Sequence, residues 1–384
     1  AGIGNLGSSA YQHSARSLLN LTEPCSARID ELPRGGRGTS MKSVALGFGT
    51  AATHQSSVGQ SCWYAQVRRR PRSASVSCVC AALALLAGSP TAAQPPTLEL
   101  LSTLEGPADL VAVDGDYAYV SAANELRVVD LSEPTRPAVR GSLSVIGRIY
   151  FIYVVDQTVY LVCGLDGVHI VDVSNPSSPR LLSTHQTAGQ ALDITIFGST
   201  ALIPNLMTGM EVVDVSVRSA PVLLSTEETP GYQWAIGSHG PLVFVVDQPH
   251  GLHLYDVSNP EEPTALGVRE SEQLVQSIAF GDNNQVYVVY ARSGLVEILD
   301  ITDPVNLRSL GSYQSSGRFQ RVAVRGTRLL TPMGRAGVEL VDVSNPSAPT
   351  PIGSYDTPGT PGGVALTDEL IVVADGTALL IIRE

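Results

Sequence analysis

The sequence predicts an all-β protein, and more specifically a seven-bladed β-propeller built from four-stranded repeats of about 42 residues. Three observations support this prediction. A short apolar run that ends in Asp recurs along the chain, and each repeat holds four strand-like runs separated by turn residues. No stretch of residues 94–384 shows a convincing helical period of apolar residues.

The recurring run defines the period of the repeat. Its last residue is Asp in six copies, and Arg383 takes that position in a seventh copy at the end of the chain. The positions are spaced 41 to 44 residues apart: Asp130, Asp172, Asp214, Asp256, Asp300, Asp342 and Arg383. A constant period of this length is typical of a repeat architecture.

Residues 108–144 illustrate the content of one repeat. Four runs, "ADLVAV", "YAYVSA", "LRVVD" and "AVRGSLS", are rich in Val, Ala and Tyr and are separated by short turn segments. Such short runs, with turn residues every 8 to 12 positions, predict antiparallel strands. Four antiparallel strands per repeat are the composition of a propeller blade.

The seventh repeat ends on its third strand, and its fourth strand is predicted at the other end of the repeat region. The segment "LELLSTLEG", at Leu98–Gly106, resembles the fourth strands "RLLSTHQTAG" and "VLLSTEETPG". We therefore expect this first strand to complete the last blade and to close the ring. Closure is favourable because an open sheet edge promotes aggregation.

A nine-residue phrase joins the third and fourth strands of several repeats. It reads "VDVSNPSSP" at residues 171–179, "YDVSNPEEP" at 255–263 and "VDVSNPSAP" at 341–349. Asp, Ser and Asn can bond to nearby backbone amides in a turn, and Pro restricts φ. We interpret the phrase as a structural turn. A shared ligand site is the alternative, although "DVSVRSAP" and "DITDPVNL" already break its polar pattern.

The third strands resemble those of the LVIVD-repeat family. "LRVVD" at residues 126–130 and "VHIVDVSNP" at 168–176 carry the likeness, which extends over nearly all of residues 97–384. The resemblance implies an exported or surface β-propeller, and it implies no activity, because the motif contains no functional residue. Arg383 in place of the last Asp, and the missing Asn-Pro after Asp214, depart from the motif at structural positions.

The first 93 residues differ in composition from the repeats. A basic cluster, "RRRPR", precedes the apolar run "VSCVCAALALLA" and the small residues that end at Ala93. This order predicts a secretory signal peptide over residues 67–93. Residues 1–66 are interpreted as an unstructured or mis-annotated leader, with Val67 or Met41 as the true start. We therefore expect export to the periplasm, the cell surface or the medium, with no membrane span after cleavage.

Charge and motif content exclude several classes of function. Residues 94–384 carry 15 Arg and 33 Asp or Glu, and this acidic balance disfavours nucleic acid as a partner. Cys163 is the only cysteine of that region, so neither a disulfide framework nor zinc spacing is present, and we expect it to be buried. No nucleotide-binding motif is present, so no cofactor is predicted. We also expect a monomer.

Residues that depart from the repeat are candidates for function, and the fourth blade contains one such group. Tyr232 and Trp234 lie in the loop that enters its inner strand, and His250 lies in another loop of the same face. Together they are a candidate patch for stacking a sugar or binding a peptide. The alternative is that Trp234 packs between blades. His253 is expected to be a solvated strand residue, and no metal site is predicted.

The sixth blade contains the second departure from the repeat. Arg318, Phe319 and Arg321 lie in the loop that enters this blade, and Arg335 lies in its companion loop. Three arginines near one face of an acidic protein are a candidate site for a carboxylate or a phosphate. The alternative is that they pair with surface acids.

The third candidate region is the mouth of the central channel. Asp109, Asp193 and Arg321 take equivalent positions at the start of the inner strands of three blades. They are candidates to line the mouth, although the sequence does not show which of them point inward. Paired carboxylates, a nucleophile elbow and other catalytic sets are missing, so no catalytic residue is predicted.

These observations favour a secreted or cell-surface propeller that acts as a non-catalytic binding or scaffold module for a protein, peptide or glycan. The main alternative is a hydrolase or lyase with its site at the channel mouth, because propellers carry such enzymes too, although the fold alone does not indicate activity. A purely structural component of the cell surface is a third interpretation.

Overall fold

The computed structural model describes residues 98–281, 283–290, 292–317 and 321–384. The predicted leader and signal peptide, residues 1–93, lie outside the described residues. Within the described part of the chain, 28 strands form seven four-stranded antiparallel sheets, and one short 3₁₀ helix spans Gly334–Ala336. The predicted fold class, a seven-bladed β-propeller with almost no helix, is confirmed.

Each blade has an inner strand beside the central channel and a second strand paired to it. The inner strands are β2 (Leu110–Asp114), β6 (Phe151–Val155), β10 (Thr195–Phe197), β14 (Tyr232–His239), β18 (Ser277–Gly281), β22 (Ala323–Arg325) and β26 (Gly363–Leu366). The second strands are β3 (Tyr117–Ala122), β7 (Thr158–Val162), β11 (Thr200–Asn205), β15 (Leu242–Gln248), β19 (Gln285–Tyr290), β23 (Arg328–Pro332) and β27 (Leu370–Ala374).

The two remaining strands of each blade follow in order toward the rim. The third strands are β4 (Glu125–Asp130), β8 (Val168–Asp172), β12 (Gly209–Asp214), β16 (Gly251–Asp256), β20 (Leu295–Asp300), β24 (Val338–Asp342) and β28 (Ala378–Arg383). The outer strands are β5 (Ala138–Ser144), β9 (Arg180–His185), β13 (Val222–Glu227), β17 (Thr264–Arg269), β21 (Arg308–Gln314), β25 (Thr350–Tyr355) and β1 (Glu99–Glu105).

The first strand closes the ring, as the sequence predicts. β1 pairs antiparallel with β28, so the seventh sheet has the order β1-β28-β27-β26. Leu98 is buried in the same apolar cluster as Ile382, while Leu101 and Leu104 pack on the cluster shared by blades 7 and 1. The N-terminal strand therefore completes one blade and covers the interface with the next.

The middle strands of the blades form the core. All five residues of β7 and of β27 are buried, because side chains on both faces of a blade contact neighbouring blades. One apolar cluster, for example, joins Leu126 and Val128 of blade 1 to Ile152 and Leu161 of blade 2. Complete burial of such a side chain contributes roughly 1.5–3 kcal/mol, so packing between blades is the main stabilising interaction.

The repeated phrase forms a turn, as interpreted from the sequence. Asp130 accepts a hydrogen bond from the backbone N–H of Ser132 at 2.8 Å, and the five later copies of this Asp make the equivalent bond. Hydrogen bonds from Ser132, together with Arg140, lower the pKa of Asp130 to about 2. The carboxylates of the phrase are therefore engaged in shaping the turn.

The same turn contacts the outer strand of the preceding blade. Where the outer strand meets this turn, it has a small residue next to a β-bulge, and we call this residue the contact position. Ser225 donates a hydrogen bond to the carbonyl of Pro260 in the copy "YDVSNPEEP" at 3.0 Å, and Ser183 makes the equivalent bond to Arg218 in the divergent turn of blade 3 at 2.6 Å. The phrase thus connects blades as well as strands, which explains why it recurs.

In blade 5 the contact position is a glycine, and we expect the substitution Gly311→Ala to destabilise the protein by about 1–3 kcal/mol. An added Cβ would lie 2.0 Å from the carbonyl oxygen of Pro346, so the turn of blade 6 would have to move. Chemical denaturation measures the change, with the exposed neighbour Ser312→Ala as the control. Equal unfolding free energies for the two variants would contradict this close contact.

Candidate functional site

One face of the ring carries most of the candidate residues. We call it the loop face, since it holds the loops from second to third strands and from outer strands to the next inner strands. Asp109, Asp193, Tyr232, Trp234, His250, Arg321 and Arg335 lie on this face or at the channel mouth. Arg318 and Phe319 lie outside the described residues, so their prediction stays untested.

An ion pair crosses the mouth of the central channel. Nη1 of Arg321, which precedes the inner strand of blade 6, lies 3.0 Å from Oδ2 of Asp193, which precedes the inner strand of blade 3. The guanidinium carbon of Arg321 also lies 4.0 Å from the ring centroid of Phe151, a distance typical of a cation–π contact. We call Asp193 and Arg321 the channel ion pair. It joins two blades that are not adjacent in the ring.

The carboxylate of Asp193 is enclosed by protein groups. The residue is 1% exposed, and it accepts backbone hydrogen bonds from its neighbour Ile194 at 2.9 Å and from Ile236 at 3.3 Å. Burial raises the pKa of Asp193, while Arg321 and the two backbone donors oppose that rise. These contacts make the channel ion pair a structural connection between blades 3, 4 and 6.

Asp109, the third candidate at the channel mouth, is engaged nearby. Its Oδ2 accepts a hydrogen bond from the backbone N–H of Ala123 at 2.8 Å, and Ala123 has a positive φ of 56°. This bond holds the loop between the second and third strands of blade 1. The structure therefore brings Asp193 and Arg321 together and gives Asp109 a separate role in its own blade.

Below the blade 4 loops lies a buried carboxylate, Asp247. It is fully buried and accepts a hydrogen bond from the backbone N–H of Gly231 at 3.1 Å. Nδ1 of His250 lies 3.4 Å from Oδ1 of Asp247, and Nε2 of His253 lies 3.2 Å from its Oδ2. The expectation of a solvated His253 is wrong: its side chain is 12% exposed beside Asp247, and burial lowers its pKa.

The residues of the aromatic candidate patch face different environments. Tyr232 is 41% exposed on the loop face, while Gln233 beside it is buried. Trp234 sits at a β-bulge of β14 and packs on the apolar cluster between blades 4 and 5, in agreement with the alternative interpretation. Tyr232 and the half-exposed His250 therefore remain as the accessible members of this patch.

The sequence analysis missed a group of apolar side chains on the same face. Ile146, Leu165 and Met207 are 74%, 72% and 58% exposed, and they lie in loops of successive blades that lead to Tyr232. We call these four residues the apolar arc. The sequence does contain a sign of this group, because large apolar residues stand inside the turn segments "VIGR", "GLDG" and "NLMTG". The other exposed large apolar residues of the described chain lie on outer strands or on the opposite face.

Hydrogen bonds connect the loops that carry the apolar arc. Nε2 of His169 bonds to the carbonyl of Ile146, and Nε2 of Gln186 donates to the carbonyl of Leu165, both at 2.8 Å. Leu206 N–H donates to the carbonyl of Gln190, and Gln233 N–H donates to that of Leu206. The exposed side chains of the arc are therefore carried by loops that hydrogen bonds hold together.

A hydrogen bond to the buried Glu211 supports the centre of these connected loops. Nε2 of His185 lies 2.7 Å from Oε2 of Glu211, and Oε1 of Glu211 accepts a hydrogen bond from the backbone N–H of Ala188 at 2.7 Å. These hydrogen bonds lower the pKa of Glu211 although burial opposes the change. The loop between blades 2 and 3 is thus held to the third strand of blade 3.

Arg335, Cys163 and the arrangement of possible metal ligands limit the kinds of site that the described residues can form. Arg335 lies exposed in the 3₁₀ helix of blade 6, so the structure does not place it with Arg321, which turns to Asp193. Cys163 is buried and free, and burial raises its pKa to about 12. In the described part of the chain, no group of three or more His, Cys, Asp or Glu is arranged for a metal ion, and no helix is long and apolar enough to cross a membrane.

Comparison with protein families identifies the repeat. The family described as "LVIVD repeat" matches residues 105–145, 141–187, 188–229, 230–268 and 316–357. These matches cover more than half of the chain, although residues 269–315 and 358–384 are not matched. A search of curated proteins found no significant match.

Solved structures with similar folds are β-propellers of low sequence identity. The β-propeller domain of Myceliophteria thermophila Cps50 (Swd1) superposes with a TM-score of 0.64 at 11% identity, covering 75% of this chain and 99% of that domain. The RRP9 WD40 repeats give 0.61 at 9% identity, covering 76% and 99%. The computationally designed Ika8 protein gives 0.59 at 12% identity, covering 74% and 99%. At these identities the likeness shows the fold alone.

Proposed function

The chain belongs to the LVIVD-repeat family, and from this premise we propose that it is an exported, non-catalytic module that binds a protein, peptide or glycan ligand on its loop face. The composition of the leader segment supports export. The acidic surface of residues 94–384 opposes self-association and supports a monomer. The closed ring offers a rigid platform, on which loops commonly carry function.

The observation that carries this proposal is the apolar arc. Its four exposed side chains lie on loops of one face that hydrogen bonds connect, whereas single exposed apolar residues need no explanation. A contiguous exposed apolar patch with a polar rim is typical of an interaction site. The hydrogen bonds beneath the arc support binding, because a preorganised surface loses less conformational entropy when it binds.

The alternative, an enzyme at the channel mouth, has less support. Its predicted charged residues are engaged: Asp193 and Arg321 pair with each other, and Asp109 accepts a backbone hydrogen bond. A general acid or base must reach a substrate proton, and the ion pair together with the burial of Asp193 does not favour that role. The loop face is therefore the better-supported site.

Substitution within the arc tests the proposal. We expect Met207→Asp to weaken ligand binding by about tenfold or more, because the carboxylate has to be desolvated against an apolar partner. The matched control is Val217→Asp, since Val217 is also 58% exposed but lies on the opposite face of blade 3. Peptide and glycan arrays, followed by titration of the best binder, provide the measurement. Equal binding by both variants would refute a site on the arc.

A further inference from the structure

The side chains of the apolar arc indicate the kind of surface that covers them. Three of the four are aliphatic or thioether side chains, namely Ile146, Leu165 and Met207. Sugar recognition relies on aromatic faces and on exposed hydrogen-bonding groups, and Tyr232 is the one aromatic member of the arc. Aliphatic side chains instead match apolar amino acid side chains, and Met adapts its shape to such partners.

The polar groups beneath the arc are largely engaged within the protein. The carbonyls of Ile146 and Leu165 accept side-chain hydrogen bonds, and Oε1 of Gln233, which has no partner in the described residues, is buried. Gly147 fits against Asp166, since an added Cβ would lie 2.3 Å from its Oδ2. The arc thus offers apolar contact on a rigid base and few free groups for a polyhydroxylated ligand.

The acidic charge of the ring indicates which kind of protein partner the arc would bind. Residues 94–384 carry 33 acidic groups against 15 Arg, so a second copy of the chain would be repelled. On the loops that carry or border the arc, the exposed acids are Asp166, Glu228, Glu270 and Glu272, and the exposed basic side chains are Arg148, His250 and Arg292. The rim is therefore acidic at neutral pH, like the whole ring, and a positively charged partner would be attracted.

We infer that the apolar arc docks a polypeptide segment whose apolar side chains are flanked by Lys or Arg, an inference that rests on the proposed function. The apolar side chains cover Ile146, Leu165, Met207 and Tyr232, while the basic residues meet the acidic rim. Apolar contact provides most of the affinity, and the charges raise the association rate and exclude acidic partners.

The test uses the full chain and three sets of synthetic peptides. One set has apolar cores flanked by Lys, the second has the same cores flanked by Glu, and the third has Ser-rich cores flanked by Lys. We expect the first set to bind about tenfold or more tightly than either of the others. Its affinity should fall when NaCl is raised from about 0.05 to 0.5 M, because salt screens the charges.

Variants connect this binding to the arc. Leu165→Asp and Met207→Asp should weaken the Lys-flanked apolar peptides by about tenfold or more, with Val217→Asp as the control on the opposite face. The milder variant Leu165→Ser guards against a folding defect, and thermal unfolding of each variant checks it. Binding by Ser-rich cores as tight as by apolar cores would overturn the inference.

The outcomes distinguish this inference from the proposed function. If Glu-flanked peptides or a glycan bind best, and that binding is lost in Leu165→Asp and Met207→Asp, the loop face is a binding site but the basic partner is refuted. If no peptide or glycan binds in a way that the arc variants weaken, both the inference and the proposed function fail.

Discussion

Replacing Arg321 with Ala should destabilise the folded protein by about 3 kcal/mol, because the buried carboxylate of Asp193 would lose its only cationic partner in the described structure. Loss of one member of a buried ion pair costs roughly 3–5 kcal/mol, and the 29% exposure of the Arg321 side chain places this pair at the lower end. Chemical denaturation at pH 7 measures the difference.

The destabilisation of Arg321→Ala should depend on pH in a defined direction. Burial raises the folded-state pKa of Asp193, and loss of Arg321 would raise it further. Because the folded-state pKa is raised, ionising this carboxyl group costs free energy in the folded protein. That cost grows as pH rises through the folded-state pKa. It is absent below the unfolded-state pKa, where the carboxyl is protonated in both states. The difference from the wild type should therefore be largest at pH 7 and should shrink as pH falls toward about 4.

Two further variants control this prediction. The double variant Asp193→Asn with Arg321→Ala should recover much of the lost stability, because no unpaired charge remains buried. Arg335→Ala should cost less than about 0.5 kcal/mol, because Arg335 is exposed on the same face. An Arg321→Ala variant as stable as Arg335→Ala, or equally destabilised at every pH, would refute the role assigned to the channel ion pair.

Deletion of residues 98–106 should abolish the folded monomer. This deletion removes β1, exposes the edge of β28, and uncovers the clusters that contain Leu98, Leu101 and Leu104. The lost burial and hydrogen bonds are comparable with the total stability of a domain, about 5–15 kcal/mol. Size-exclusion chromatography and circular dichroism should show aggregation or unfolding, because an uncovered edge strand pairs with other chains.

A point variant and a peptide complement the deletion. Glu99→Ala removes an exposed ion pair to Arg383 from the same strand and should change stability by less than about 0.5 kcal/mol. A synthetic peptide of residues 97–107 should restore a soluble ring, because the missing strand supplies backbone partners to β28. A deleted chain that unfolds with the same midpoint as the intact protein would show that closure by β1 is dispensable.

The blades and their closure were predictable because they depend on local, repeated signals. Alternating apolar residues define the strands, and the Asp that ends six of the seven third strands begins the turn in which it caps a backbone N–H. The segment at Leu98–Gly106 was recognisable because it copies other outer strands. Such features depend on neighbouring residues in the chain, so each repeat shows them independently of the rest.

The site was only partly predictable. Tyr232 and Trp234 were identified together because they depart from the repeat, but the bulge of β14 turns Trp234 toward the blade interface and leaves Tyr232 exposed. His253 shares a repeat position with Arg127, a residue type that favours solvent, yet its side chain is 12% exposed and lies beside the buried Asp247. The burial of a side chain depends on its tertiary contacts, and the polar residue types at this repeat position do not indicate them.

The sequence therefore established the architecture: seven repeats, their strand order, the structural use of "VDVSNPSSP", and the strand that closes the ring. The tertiary structure decided which non-repeating residues meet. Asp193 and Arg321 are 128 residues apart and pair because the closed ring places them at one channel mouth. The apolar arc likewise exists because successive loops lie side by side on one face. Both depend on contacts between distant parts of the chain, which local sequence patterns do not encode.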